Sequence, residues 1–336
     1  MRHAVLRLRR MSCALMIALS APLCASEIRS DAIPAVPESV AIEQRVVSFW
    51  SDAVRLVGNV FKPVGLTAEQ KLPGILMIHG WGGNRANVNR AYATHFAQLG
   101  FIVMTFDLRG WGDSDGFFLV SDAELTANNE RPQASNTDLI QTRQIREVVN
   151  PQAMLVDTQA ALAWFVAEQN LQADNLGIWG TSLGGALAVV TAAQDPRVKA
   201  LVTQIGPVNS KANFAMIPDA MVQQWESQRA RGEIAPFPGP ESALPGFRGY
   251  PDFIAMKRFD PAAYWEAITI PTLIIDAEEE ELFDRQINGA AFYRTLVGRV
   301  PVDYRVIPGT HYSLYENTGL LAAREAALAW FVRYLK

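Results

Sequence analysis

The stretch LGIWGTSLGGALAVV, residues 176–190, indicates the fold of the chain more clearly than any other. A short apolar run, LGIWG, predicts a buried strand, and GGALAVV predicts a helix that begins after a tight turn. The turn holds Ser182 between Gly180 and Gly184. A G-x-S-x-G turn between strand and helix makes a serine project from the backbone, because only glycine-sized neighbours leave room for it.

The same alternation of strand and helix continues on both sides of this turn. Helix-like segments separate the short apolar runs, which are GILMIHG, FIVMTFDLRG, VKALVTQIG, PTLIIDA and PVDYRVIPG. Continuous apolar strands are typical of a sheet covered on both faces by helices. The pattern therefore predicts an α/β fold with a doubly wound, mostly parallel sheet. A β-hairpin in QRVVSFWSDAVRLVGNVFKPVG precedes it.

Residues 209–263 interrupt this rhythm with a segment rich in proline, methionine and aromatic residues. The segment is too long for an ordinary loop, so it predicts a cap or lid inserted between strands. Its aromatic residues either line a substrate pocket or form the small core of the insertion itself. They are Trp225, Phe237, Phe247, Tyr250 and Phe253.

Residues 1–26 predict a secretory signal peptide rather than part of the fold. Four arginines with no acid precede a short apolar run and small residues, a pattern that places cleavage near Ala25 or Ser26. Residues 27–336 then form one domain in the periplasm or outside the cell, without stable membrane insertion. The formal net charge of −4 argues against nucleic-acid binding. The oligomeric state stays open.

A serine hydroxyl becomes a useful nucleophile only when a base takes its proton, and the histidines limit the choice of base. His3 lies in the predicted leader, His95 in a helical segment, and His79 in the glycine-rich HGWGG. His311 follows the last predicted strand, at the sheet edge where parallel sheets place their sites. His311 is therefore the predicted base for Ser182.

A carboxylate and an oxyanion hole would complete such a site. The stretch TLIIDAEEEELFD, which precedes the strand before His311, supplies six acidic residues, and the residues alone do not choose among them. The backbone N–H groups of Trp81, in HGWGG, and Leu183, after the serine, are the predicted oxyanion donors.

Motifs for cofactors and metals are absent from the sequence. No cluster of cysteine and histidine suggests zinc, and no P-loop or dinucleotide fingerprint follows a predicted strand. The expected site thus needs neither a cofactor nor a metal.

The motifs HGWGG, DLRGWGDSDG, GTSLGG and GTHY, in this order, resemble the landmarks of the α/β-hydrolase superfamily. The chain is most similar to the dienelactone-hydrolase and prolyl-oligopeptidase-like serine hydrolases. The resemblance implies an α/β-hydrolase fold, the chain order Ser…acid…His, and Glu280 as the acid. The family usually has aspartate at that position, so Glu279 and Asp276 remain alternatives.

These features predict an exported, cofactor-free serine hydrolase that cleaves small carboxylic esters through an acyl-enzyme. A peptidase or amidase is the alternative, and Glu226, Glu233 or Glu241 in the insertion would then hold a peptide amine. A third hypothesis is a non-catalytic binding protein on a hydrolase scaffold.

Overall fold

A computed structural model describes residues 40–120 and 141–336. The predicted signal peptide, residues 1–26, lies outside the described residues. Twelve strands occur in the described part of the chain. Their bounds are β1 Ile42–Ser51, β2 Val54–Pro63, β3 Leu72–Ile78, β4 Ile102–Phe106, β5 Phe117–Val120, β6 Thr142–Ile145, β7 Val148–Val149, β8 Leu171–Thr181, β9 Val198–Gln204, β10 Tyr250–Pro251, β11 Thr272–Glu279 and β12 Val302–Thr310.

Eight of these strands form the central sheet, in the order β1-β2-β4-β3-β8-β9-β11-β12. The pairs β1–β2 and β2–β4 are antiparallel, and every further pair is parallel. The predicted hairpin is confirmed, because β1 and β2 join at Asp52 and Ala53, which have φ values of 44° and 63°. Positive φ at both central residues is typical of a type I′ turn, which matches the twist of the two strands.

The central strands bury side chains on both faces of the sheet. In β3, Leu76 and Ile78 enter one hydrophobic cluster, while Ile75 and Met77 enter another. Because successive side chains of a strand point to opposite faces, the two clusters are the two sides of a helix-covered sheet. The predicted doubly wound fold is confirmed. The helices are α1 Arg85–Val88, α2 Thr94–Gln98, α3 Pro151–Phe165, α4 Leu183–Gln194, α5 Ser210–Asn213, α6 Asp219–Ala230, α7 Phe253–Arg258, α8 Gly289–Leu296 and α9 Asn317–Leu335.

Strand β3 lies at the point where the order of the strands reverses. The chain leaves β3 for β4 on one side and later returns to β8 on the other side. Ligands of open α/β sheets bind outside the carboxyl ends of the strands at such a switch point. The turns after β3 and β8 carry HGWGG and TSLGG, so the fold places both glycine-rich motifs beside the same crevice.

The segment predicted as an insertion, residues 209–263, contains α5, α6, α7 and the short strand β10. Strand β10 pairs in parallel with β7, which precedes α3. A second excursion from the central sheet contains the antiparallel pair β5–β6. Phe237 of the insertion stacks on Phe117 of β5, with ring centroids 4.7 Å apart. One of the five aromatic residues of the insertion therefore packs against this second excursion.

No helix within residues 40–120 and 141–336 is both long enough and apolar enough to cross a membrane.

Candidate active site

Ser182 occupies a strained turn between β8 and α4. Its φ and ψ are 52° and −126°, a combination that non-glycine residues rarely adopt. A Cβ atom at Gly180 would clash with the carbonyl of Gly184, and one at Gly184 would clash with the carbonyls of Ile78 and His79. The two glycines of the motif therefore allow the helix start to pack directly on the ends of β3 and β8.

Backbone hydrogen bonds hold the serine turn in the sheet. The Ser182 N–H donates to the carbonyl of Gln204 at 2.8 Å, and the Gly185 N–H donates to the carbonyl of Ser182 at 2.8 Å. Ser182 precedes the first residue of α4, so its side chain lies at the end of the helix where unpaired N–H groups favour negative charge.

His311 follows β12 and is brought beside the acidic run by an irregularity in strand pairing. The register between β11 and β12 shifts, with Ala277 opposite Ile307 and Glu279 opposite Thr310. The extra residue of β12 falls at Pro308 and Gly309, and Gly309 has a φ of 113°. The shift places His311, which follows Thr310, next to Glu280, which follows Glu279.

The ring of His311 forms a direct hydrogen bond with Glu280. Nδ1 lies 2.9 Å from Oε1 and 2.8 Å from Oε2 of Glu280, and both side chains are buried. A carboxylate only accepts hydrogen bonds, so Nδ1 carries the proton and Nε2 of the neutral ring keeps its lone pair. The arrangement leaves Nε2 able to take a proton.

The other carboxylates of the acidic run have different environments. Glu281 accepts a hydrogen bond from the backbone N–H of His311 at 2.7 Å, and the side chains of Glu278 and Glu279 face solvent. Asp276 is buried within β11, where the Tyr304 hydroxyl donates to it at 3.0 Å. Burial, with a smaller contribution from the nearby charge of Glu280, raises the pKa of Asp276 to about 7.

The HGWGG loop after β3 lies against the serine turn. A Cβ atom at Gly80 would lie 2.9 Å from Cβ of Ser182, so only glycine permits this approach. Within residues 40–120 and 141–336, no protein acceptor binds the backbone N–H of Trp81 or Leu183. Both predicted oxyanion donors are therefore available to a ligand.

His79 holds this loop in place through two hydrogen bonds. Its Nδ1 donates to the carbonyl of Gly80 at 2.8 Å, while its Nε2 accepts the backbone N–H of Leu108 at 3.1 Å. Burial lowers the pKa of His79, which favours the neutral ring that can donate with one nitrogen and accept with the other. The role of His79 is thus to position the loop.

The insertion contacts the HGWGG loop through Trp81. The indole Nε1 donates to the carbonyl of Arg248 at 2.6 Å, and the ring lies 4.9 Å from that of Phe247. The backbone of Trp81 therefore faces the crevice, while its side chain contacts the insertion.

Tyr315 links the serine turn to the histidine, and sequence analysis missed it. Its hydroxyl lies 3.0 Å from Oγ1 of Thr181, and its ring centroid lies 6.0 Å from that of His311. Burial raises the pKa of Tyr315, and hydrogen bonds from Thr181 and Ser182 offset part of this rise. The signal in the sequence is the spacing HYSLY, which puts a tyrosine one short helical turn after His311.

A parallel sheet of this strand order, with a serine on a strained strand-to-helix turn and a histidine–carboxylate pair at the same edge, defines an α/β hydrolase. The sequence profile of the X-Pro dipeptidyl-peptidase (S15) family matches residues 52–232. The chain belongs to this family, and it is a hydrolase of the α/β-hydrolase type.

Individual proteins are similar to the chain over different shares of its length. The chain is 23% identical to an uncharacterised 31.7 kDa protein of Escherichia coli, over 79% of this chain and 92% of that protein. It is 30% identical to the quorum-quenching protein AidA of Acinetobacter baumannii, over 47% of this chain and 42% of AidA. The solved structure of the α/β hydrolase GrgF from Penicillium has a TM-score of 0.60 at 16% identity, and the match covers 87% of this chain and 99% of GrgF.

Proposed function

We propose that this protein is an exported serine hydrolase that cleaves small carboxylic esters. Ser182 is the nucleophile, His311 the base and Glu280 the acid, while the N–H groups of Trp81 and Leu183 bind the oxyanion. The observation that carries the proposal is the pairing of His311 Nδ1 with both oxygens of Glu280, since it leaves Nε2 free as a base.

The reaction proceeds in two halves. Oγ of Ser182 attacks the ester carbonyl carbon as its proton passes to Nε2 of His311, and the carbonyl oxygen becomes an oxyanion held by the two N–H groups. The C–O bond to the alcohol then breaks, and His311 returns the proton to the leaving alkoxide. Water then attacks the acyl carbon as its proton passes to His311, the C–O bond to Oγ of Ser182 breaks, and His311 returns the proton to Oγ as the acid leaves. Glu280 stabilises the imidazolium at both stages and stays ionised.

The choice of an ester over a peptide rests on the carboxylates of the insertion. Capture of a peptide amine would need an unpaired carboxylate, and Glu226 instead forms two hydrogen bonds with Arg258, at 2.8 and 2.7 Å. Glu233 pairs with Arg231, and Glu241 accepts the backbone N–H of Gly239 at 2.8 Å. Each of the three candidates already has a partner, which disfavours the peptidase alternative.

The test compares p-nitrophenyl esters of increasing acyl length with amino-acid p-nitroanilides. We expect turnover of short esters, slow or no turnover of anilides, and a loss of at least about 10⁴-fold in kcat for Ser182→Ala, because the nucleophile supplies most of the catalysis. Circular dichroism of Ser182→Ala checks that the variant folds. Rapid cleavage of the anilides alone would overturn the ester assignment.

A fluorophosphonate probe tests the serine mechanism separately from the substrate. The probe should attach covalently to Ser182, as mapped by mass spectrometry of the labelled peptide. An unlabelled, folded wild-type protein would favour the non-catalytic scaffold. Export is checked by sequencing the N-terminus of the protein recovered outside the cytoplasm, which should begin near residue 27.

A further inference from the structure

A short segment of the insertion, residues 247–251, lies on the indole ring of Trp81 and is called the strap below. Nε1 of Trp81 donates to the carbonyl of Arg248 at 2.6 Å, and the Trp81 ring centroid lies 4.9 Å from that of Phe247. An indole N–H only donates and a carbonyl oxygen only accepts, so the direction of this bond is fixed. The insertion therefore holds a side chain that belongs to the glycine-rich loop after β3.

The strap is itself attached to the body of the fold. Tyr250 and Pro251 form β10, which pairs with β7, and the Tyr250 N–H donates to the carbonyl of Glu147 at 2.8 Å. Nε of Arg248 donates to Oε1 of the same glutamate at 3.1 Å, and the guanidinium lies over the ring of Trp111, 5.6 Å from its centroid. Trp111 is buried in the loop after β4. The strap thus joins this part of the body to the side chain of Trp81.

Two glycines show how closely the strap approaches its support. A Cβ atom at Gly249 would lie 2.6 Å from the carbonyl oxygen of Glu147 and 2.8 Å from the ring of Trp111. At Gly246, just before the strap, no atom of residues 40–120 and 141–336 lies within 4 Å of the same position. Their φ values are similar, 88° at Gly249 and 83° at Gly246. The two positions therefore share a left-handed φ and differ in packing.

The peptide unit between Gly80 and Trp81 carries one of the proposed oxyanion donors. Its carbonyl accepts from Nδ1 of His79 at 2.8 Å and from the Gly83 N–H at 3.1 Å. The peptide is trans, so the Trp81 N–H points away from that carbonyl. Because glycines lie on both sides of Trp81, the loop alone restrains its Cα weakly. The bonds to the carbonyl fix one end of the peptide unit, and the indole contact with the strap fixes the other.

We propose that Phe247 and Arg248 are positioning residues that act through the indole of Trp81 to aim its backbone N–H at the substrate oxyanion. The inference rests on the proposed function, because it needs an oxyanion at that N–H. A donor of this kind is most effective when it is oriented before the charge develops, since reorientation in the transition state costs free energy. The strap then stays on the loop during turnover, and the insertion does not act as a lid that lifts away from it.

The decisive variant is Trp81→Phe, which keeps an aromatic ring beside Phe247 and removes the N–H that binds Arg248. We expect kcat for a p-nitrophenyl ester to fall about tenfold, which is the size of one well-placed hydrogen bond. The value of KM should change less than about twofold, because the indole binds the strap and not the substrate. A higher KM at unchanged kcat would overturn the proposal, since Trp81 would then contact the substrate.

A trifluoromethyl ketone reports on the oxyanion itself. Oγ of Ser182 adds to the carbonyl carbon of butyl trifluoromethyl ketone as the serine proton passes to His311, and the ketone oxygen becomes an oxyanion in the place where the Trp81 N–H binds it. The inhibition constant of Trp81→Phe should therefore rise by a factor similar to the fall in kcat/KM. A lower kcat with an unchanged inhibition constant would contradict the proposal, because the oxyanion contact would then be intact.

Gly249→Ala and Gly246→Ala test the strap without any change at Trp81. The new methyl group at position 249 must displace the strap from Glu147 and Trp111, whereas the methyl group at position 246 adds only the strain of the left-handed φ. We expect Gly246→Ala to keep the wild-type kcat/KM within about twofold and Gly249→Ala to be at least about fivefold lower, with a matching rise in the inhibition constant. This pair decides the question if Trp81→Phe does not fold. Equal kcat/KM in the two folded glycine variants would refute the role of the strap.

Failure of the proposed function has a different signature. A folded wild-type protein that neither hydrolyses p-nitrophenyl esters nor reacts with the fluorophosphonate would overturn the serine-hydrolase assignment, and the role of the strap with it. A wild-type protein that is active and labelled, with a folded Trp81→Phe variant equal to it in kcat and in inhibition by the ketone, would overturn the role of the strap alone.

Discussion

Asp276 should make the stability of the protein depend on pH in a way that Asp276→Asn abolishes. The carboxyl is 1% exposed, Tyr304 donates to Oδ2, and Oδ1 has no hydrogen-bond partner among residues 40–120 and 141–336. Gly289 of α8 closes the other side, since a Cβ atom there would clash with Oδ2. This site holds a neutral carboxyl more easily than a carboxylate.

The size of this pH dependence follows from the pKa of Asp276 in the folded and unfolded states. Burial, together with the charge of Glu280, raises the pKa from 3.8 to about 7, against the opposing hydrogen bond of Tyr304 and charge of Arg285. A carboxyl with a raised folded-state pKa stabilises the fold fully below pH 3.8 and loses that contribution as the pH rises through 7. The full difference is about 4 kcal/mol, and roughly 2–3 kcal/mol of it lies between pH 5 and pH 8.

Urea unfolding at pH 5, 6, 7 and 8 measures this contribution directly. The free energy of unfolding of Asp276→Asn, minus that of the wild type, should increase by roughly 2–3 kcal/mol from pH 5 to pH 8, because the amide does not ionise. Glu278→Gln, which removes an exposed carboxylate from the same strand, should follow the wild-type curve. A constant difference between Asp276→Asn and the wild type at all four pH values would refute the reasoning.

Two further predictions follow from ion pairs and hydrogen bonds of the described residues. Glu280→Gln should lower kcat/KM for esters by about 10³- to 10⁴-fold, because the amide no longer stabilises the imidazolium. Glu279→Gln should keep a kcat/KM near the wild-type value. Ester kinetics with both variants show which of the two carboxylates is the acid. Asp157→Ala should lower the free energy of unfolding by about 3–5 kcal/mol in urea titrations, since it leaves the buried guanidinium of Arg109 unpaired. A loss below about 1 kcal/mol would contradict that assignment.

The sheet was predictable from the sequence because its strands are buried on both faces. Runs such as GILMI and FIVMTF are continuously apolar, and each became a strand of the sheet. The pair β5–β6 was not predictable, because TRQI of β6 is largely polar and exposed or half-buried. Its pairing with β5 depends on residues more than twenty positions away, which local periodicity does not report.

The serine and histidine of the candidate site were predictable for a different reason. The glycines around Ser182 are a local requirement of its turn, and with only four histidines in the chain elimination leaves His311. The acidic partner was not predictable from local sequence, because a register shift on β12 decides which carboxylate faces His311. Only the resemblance to known hydrolases pointed to Glu280, and the structure brings that residue to the ring.

Backbone contacts and side-chain contacts carry different parts of this site. Close approaches at Gly80, Gly180 and Gly184 hold the serine turn against the loop after β3, so a side chain at any of them must displace the main chain. The hydrogen bond that Glu280 accepts from His311 instead holds the imidazole ring on a framework that is already in place. Substitutions at the glycines should therefore reduce stability and activity together, whereas the isosteric change Glu280→Gln should reduce the rate alone. That separation is what makes conservative variants of the side chains informative about mechanism.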